Sequence, residues 1–231
     1  SKGLESKTFK RMSEIIIEEI ETIDSNNIVT LYGPSHAEEV IKKYPTTLVA
    51  ASLTLESSMK VQKTFSSKTI RVYTNSDIVG VELGGSLKNV IAIGVGMCDG
   101  VGFGDNTKSA LITRGMIEII RLGTAMGARK ETFSGLSGIG DLIATCLSKH
   151  SRNRFVGESL GKGKKLEDII ASMNMVAEGV ETAKSIEKLS KIYNIEMPIS
   201  KAVCRILFEN KDPKSMVVNL MTRDLGNELS N

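Results

Sequence analysis

The sequence predicts a short α/β piece followed by an all-α domain, and three observations predict it. In the first 75 residues, apolar runs of strand length alternate with segments of helical period. After Tyr73 the strand-like runs stop, and only helical patterns follow. At the changeover stands Thr74-Asn75-Ser76-Asp77, residues that favour turns and helix N-caps. The boundary is therefore placed between residues 75 and 76, giving units of 1–75 and 76–231.

In order, residues 5–24 place Met12, Ile16, Ile20 and Ile23 at helical spacing. Ile28–Tyr32 reads as a buried strand, 35–44 as a helix, and Thr47–Ser52 as a second strand. A helix over 55–66 and a strand over Ile70–Tyr73 complete the alternation. Such alternation predicts crossover connections and a mostly parallel sheet. The second unit predicts helices near 77–99, 106–127, 138–149, 152–160, 165–173, 179–193, 198–209 and 213–222.

The chain has 231 residues, 41% hydrophobic and 25% charged, which is the range of a globular protein with a real core. A net charge of +3 on scattered basic residues, with 4% aromatics, argues against nucleic acid as a partner. Cys98, Cys146 and Cys204 have no metal-ligand spacing and sit in apolar contexts. They are expected to be reduced core thiols, with no metal site. A nucleophilic Cys146 activated by His150 is the lesser reading. No uninterrupted apolar run approaches the ~18 residues of a membrane span, and no signal peptide is evident, so no membrane insertion and a cytoplasmic location are expected.

A dinucleotide-binding fold is marked by a strand, then G-x-G-x-x-G, then a helix. Nothing in the chain fits that order. Gly94 and Gly96 lie inside a helical pattern and read as a close helix crossing; Gly100, Gly102 and Gly104 read as a turn.

Three other stretches have the residue types that carry chemistry. Tyr32-Gly33-Pro34-Ser35-His36-Ala37-Glu38 ends a strand and offers Ser35-x-x-Glu38 as a capping box, either a plain helix start or an anion contact. In GGSLKN, Lys88 shares a helical face with Ile91, Ala92 and Val95. An ammonium there is costly to desolvate. It either snorkels, pairs with Glu82, or is a functional amine of lowered pKa. The segment 137–155 (SGIGDLIATCLSKHSRNRF) gathers Asp141, Thr145, Ser151, Arg152 and Asn153. A continuous helix puts Asp141, Thr145 and Arg152 on one face; a break near His150 makes Ser151 an N-cap. Val176-Ala177-Glu178-Gly179 is a charged loop or a helix start, and Lys2 alone is a surface lysine.

Taken in order, KGLE at 2–5, GPSHAEE at 33–39 and VYTNSDIVGVELGGSLKNVIAIGVG at 72–96 resemble the NAD(P)-dependent glycerol-3-phosphate dehydrogenase family of bacterial type. GDNTKSALITRG at 104–115, TFSGLSGIGDLIATC at 132–146 and SRNR at 151–154 continue the resemblance, which thins after residue 180.

The resemblance implies hydride exchange between NAD or NADP and the pair dihydroxyacetone phosphate and sn-glycerol 3-phosphate, feeding glycerophospholipid synthesis. It implies Lys88 as proton acceptor, with Thr145 as a second catalytic candidate. Substrate contacts fall on Lys2, Gly33, Ser35, Lys88, Asp141, Ser151, Arg152 and Asn153. Cofactor contacts fall on Lys2, Ala37, Arg152, Val176 and Glu178. Lys2 is also expected to depress the Lys88 pKa by like-charge repulsion. The fold class becomes an α/β fragment, the trailing part of a Rossmann-type sheet, followed by an all-α substrate domain. The family's glycine-rich pyrophosphate loop is missing, so the chain alone is expected to be inactive or nearly so. A homodimer through the helical domain is a further expectation. The competing readings are another β-hydroxyacid-type dehydrogenase acting on a carboxylate, and a non-catalytic binding or oligomerisation module.

Overall fold

The computed structural model describes residues 2–173 and 175–228. Helix α1 (Met12–Glu19) comes first, followed by strand β1 (Thr30–Tyr32), helix α2 (Ala37–Ile41), strand β2 (Thr46–Ala51), helix α3 (Leu55–Phe65) and strand β3 (Ile70–Asn75). These strands form one sheet in the order β1-β2-β3.

The helix expected over 5–24 is confined to α1. Residues 2–11 instead form a strap, closed where Leu4 bridges Arg11 in antiparallel fashion, with Phe9 in the left-handed region at φ 61°. The expected mostly parallel sheet is half corrected: β2 and β3 are parallel, but β1 and β2 are antiparallel. Helix length explains the difference. The 11 residues of α3 rise about 16 Å and carry the chain back along the sheet, whereas the 5 residues of α2 rise only about 7 Å. Gly33, at φ 140° and packed on the Leu48 backbone, starts the reversal that α2 completes. The expected capping box is not formed either. His36 is the N-cap residue of α2, and the Ser35 hydroxyl donates instead to the Gly33 carbonyl at 3.2 Å.

The helical part is built around α4 (Ile78–Val101), whose N-cap Asp77 accepts from the Gly80 amide at 2.9 Å. It is long and apolar enough to cross a membrane by composition, yet nearly all of it is enclosed by protein. Around it pack α5 (Asp105–Ala125), α6 (Asp141–Leu147), α7 (Arg152–Gly161), α9 (Glu178–Ile192) and α10 (Pro198–Glu209); α8 (Leu166–Ala171) and α11 (Pro213–Met221) complete the chain. The core is apolar residues of α4 with Phe133, Leu142, Val156, Ile186 and Val203.

The α4–α7 crossing sets the site's geometry. A Cβ on Gly96 or Gly100 would overlap the carbonyl oxygens of Arg154 or Glu158, and one on Gly157 would overlap that of Ile93. The two backbones touch at Gly96, as expected, and at Gly100, which lies inside α4 rather than in the expected turn, while Gly94 faces Val203 and Leu111; the start of α7 is thereby drawn against α4.

Candidate active site

Four elements converge on Lys88. The helix α4 carries it at a position 4% exposed, facing α6 rather than solvent. A π turn over Leu136–Gly140, kinked at Gly138, precedes α6 and turns Asp141 and Thr145 inward. The Lys88 ammonium donates to Asp141 Oδ1 at 2.7 Å and to the Thr145 hydroxyl. Thr145 in turn donates to the Asp141 carbonyl at 2.7 Å. From the strap, Lys2 donates to Asp141 Oδ2 at 2.7 Å, lies 3.5 Å from the Gly33 carbonyl, and stands 5.4 Å above the Tyr32 ring.

Of the alternatives for Lys88, pairing with Glu82 is excluded, because its partner is Asp141. Burial pushes the Lys88 ammonium down to about 8; Asp141 opposes that and Lys2 adds to it. The amine thus gives up its proton far more readily than an exposed lysine.

The second group lies at the start of α7. The helix breaks near His150: Ser148 caps the end of α6, and Ser151 caps α7 by accepting from the Arg154 amide at 3.2 Å. Arg152 donates to the Val176 carbonyl at 2.9 Å, and Asn153 accepts from the Gly179 amide at 2.9 Å. The 176–179 stretch is a helix start, with Glu178 the first residue of α9 and its carboxylate 3.5 Å from the Asn89 amide.

Asn89 was missed in the sequence. It joins the two groups, being next to Lys88 on α4 and 2% exposed. Its signal was a polar Lys-Asn pair inside an otherwise apolar helical run. Ser35, on the β1–α2 connection, and Ala37, the first residue of α2, lie at the surface, and neither bonds to the lysine cluster among the described residues. Arg152 nonetheless acts on Glu38, together with His36 and His150, helping hold its carboxyl below the usual range behind the larger effect of its own backbone amide. The start of α2 faces the α6–α7 connection, where the His36 and His150 rings stand 6.1 Å apart and His36 Nε2 lies 3.5 Å from the Ala144 carbonyl oxygen.

Cys146 packs beside this cluster, burial pushes its thiol up to about 12, and the His150 ring stands against His36, which together weigh against the nucleophile reading. No group of metal-ligating side chains occurs among the described residues.

The arrangement offers a buried amine of low proton affinity, with a carboxylate and hydroxyl that orient it, and a guanidinium at the start of α7. Arg presents five N–H donors in a planar fork suited to a phosphate or carboxylate. This is the equipment for moving a proton at an alcohol or carbonyl oxygen of a small anion.

Comparison with known proteins gives the family. Residues 77–218 match the family described as NAD-dependent glycerol-3-phosphate dehydrogenase C-terminus, and residues 1–58 match its N-terminus. A protein of Prosthecochloris aestuarii named glycerol-3-phosphate dehydrogenase [NAD(P)+] is 55% identical over 99% of this chain and 69% of its own length. One of the same name from a Thermoanaerobacter species is also 55% identical, over 99% of this chain and 68% of its own. The crystal structure of glycerol-3-phosphate dehydrogenase from Coxiella burnetii superposes with a TM-score of 0.90 at 37% identity, covering 96% of this chain and 67% of that one. The chain therefore belongs to the NAD-dependent glycerol-3-phosphate dehydrogenase family.

Proposed function

We propose that the chain serves the interconversion of sn-glycerol 3-phosphate and dihydroxyacetone phosphate with NAD or NADP, as a step toward glycerophospholipids. The observation that carries this is the Lys88 ammonium, buried and held by Asp141 and Thr145. In the oxidation direction the neutral Lys88 amine takes the proton of the C2 hydroxyl. In the reverse direction the ammonium returns it to the carbonyl oxygen. Asp141 holds the amine in place, and Thr145 donates or accepts beside it as the amine changes protonation. Lys2 and the Gly33 carbonyl border the same space, and Ser151, Arg152 and Asn153 form the anion-binding end. Ser35 is the remaining substrate contact.

The donor set also suits a nicotinamide. Arg152, the Val176 backbone and the Glu178 carboxylate present donors and acceptors in one place, as a carboxamide requires, with Ala37 and Lys2 completing the contacts. That group, when bound, supplies the hydride acceptor. No glycine-rich loop lies among these 231 residues, so the chain by itself is expected to turn over slowly or not at all. We assign residues 1–75 to the cofactor side and 76–231 to the substrate side, and propose a cytoplasmic protein that pairs with a second copy through its helices.

Calorimetry with sn-glycerol 3-phosphate tests the substrate. Binding is expected for the chain and about 10- to 100-fold weaker for Arg152→Ala, the loss of one charge-assisted contact. Tighter binding of a β-hydroxycarboxylate than of sn-glycerol 3-phosphate would overturn the phosphate reading in favour of a carboxylate substrate.

A further inference from the structure

The proton-transfer reading gives no role to Glu82, a carboxylate 2% exposed near the N-terminal end of α4. Burying an ion pair where an apolar pair would pack is seldom a gain in stability, so its partners matter. Arg11 donates to Glu82 Oε2 at 2.8 Å; the Ser13 amide donates to Oε1 at 2.9 Å and the Ser13 hydroxyl to Oε2 at 2.6 Å. One turn on, the Ser86 hydroxyl donates to the Glu82 carbonyl at 2.8 Å and accepts from the Gly3 amide at 3.0 Å.

Both arms of the strap are thus fastened to α4. Ser86 holds the arm at Gly3, and Glu82 holds the other arm at Arg11 and, through Ser13, the start of α1 that follows it. Between them the strap closes on itself through the Leu4–Arg11 bridge and the Glu5 amide on the Lys10 carbonyl at 3.0 Å. The residue next to Gly3 is Lys2, whose ammonium lies against Asp141.

We propose that Glu82 is a positioning residue: by clamping Arg11 and Ser13 it fixes the strap so that the Lys2 ammonium reaches Asp141 and bears on Lys88. This rests on the reading of Lys88 as the proton acceptor. The groups facing Lys88 are Asp141, Thr145 and Cys146 from α6 and Lys2 from the strap, with Tyr32 of β1 beneath Lys2. When the strap loosens, Lys88 loses its positive neighbour and faces the Asp141 carboxylate alone. Both changes favour the ammonium form.

The test is side-chain NMR of carbon-13-labelled lysine in the 231-residue chain, following the Lys88 resonance with pH. Glu82→Gln is expected to move the Lys88 titration upward by about one unit, the effect of losing a nearby like charge. Lys2→Met should move it equally, and the double variant no further, since the two act through one contact. Arg11→Gln releases the same clamp from its more exposed end and stands in if Glu82→Gln does not fold. A Glu82→Gln or Arg11→Gln chain that melts earlier but leaves the Lys88 titration in place would overturn the proposal and leave Glu82 a structural anchor. A wild-type Lys88 titrating at an ordinary lysine value would instead sink the acceptor role, while the clamp is still read from the difference between variants.

Discussion

Lys88 and Lys2 share one carboxylate, each ammonium 2.7 Å from a different oxygen of Asp141. The two cations are not equivalent, because Lys88 is buried and Lys2 is partly open to solvent. Asp141→Asn leaves two positive groups facing each other with no anion between them. The Lys88 titration is then expected to fall further below its wild-type value of about 8. The folded state should lose about 3 kcal/mol at pH 6, where Lys88 is still forced to carry charge, and less at pH 9, where it is neutral. Urea unfolding at the two pH values, with lysine NMR alongside, reads both. A Lys88 titration that stays put or rises would contradict this account of the pair.

The depressed Lys88 pKa also makes stability depend on pH, with a definite sign. In the folded state Lys88 releases its proton near 8, and in the unfolded chain near 10.5. Below both values the proton is bound in both states, and the folded state bears the full burden of a buried ammonium. Between them the unfolded state binds more protons, so stability rises with pH. The unfolding free energy of wild type minus that of Lys88→Met is therefore expected to climb from pH 8 to 10.5, by about 3 kcal/mol in all. Taking the difference cancels the other lysines. A flat difference across that window would mean that Lys88 is not desolvated as its surroundings imply.

How far the sequence could be read follows from how local each determinant is. Helices α3 to α11 were legible because period, caps and breakers lie within each segment: Asp77 caps α4, Ser151 caps α7, and Pro198 and Pro213 open α10 and α11. The strand pairing was not, because direction depends on whether the intervening helix is long enough to recross the sheet. The strap at 2–11 was hidden by the helical spacing of Met12 and Ile16, since its shape comes from Glu82 and Ser86, far along the chain. In the site, Lys88 showed itself as a charge on an apolar face. Its partner could not be read from spacing: Glu82 was nearer in sequence, but the π turn ahead of α6 delivers Asp141 instead.

The glycine seam between α4 and α7 gives a third prediction. A Cβ on Gly157 meets the Ile93 carbonyl, and neither helix can retreat without moving its whole backbone. Gly157→Ala should cost about 3 kcal/mol or more, the upper end of overpacking. It should also weaken sn-glycerol 3-phosphate binding, because Arg152 and Asn153 open the displaced helix. Gly226→Ala is the control, with open space around its Cα and no left-handed φ. It should change stability by less than about 0.5 kcal/mol. Equal effects at both positions would mean that the seam is looser than the contacts show.

The three thiols give the last. Burial pushes Cys98 up to about 11 and both Cys146 and Cys204 up to about 12. Cys146 has the Lys88 ammonium as a neighbour, which favours a thiolate, yet desolvation and the Asp141 charge outweigh it. Only a minute fraction of any thiol is therefore thiolate at pH 8, and each side chain is shielded from reagent as well. Incubation of the folded chain with iodoacetamide at pH 8 should leave all three cysteines unmodified over the time in which the same reagent labels all three in urea. Mass spectrometry separates the sites. Labelling of Cys146 alone in the folded chain would show that the Lys88 charge reaches the sulfur more strongly than its burial allows, and would reopen the thiol as a reactive group beside the proton-transfer lysine.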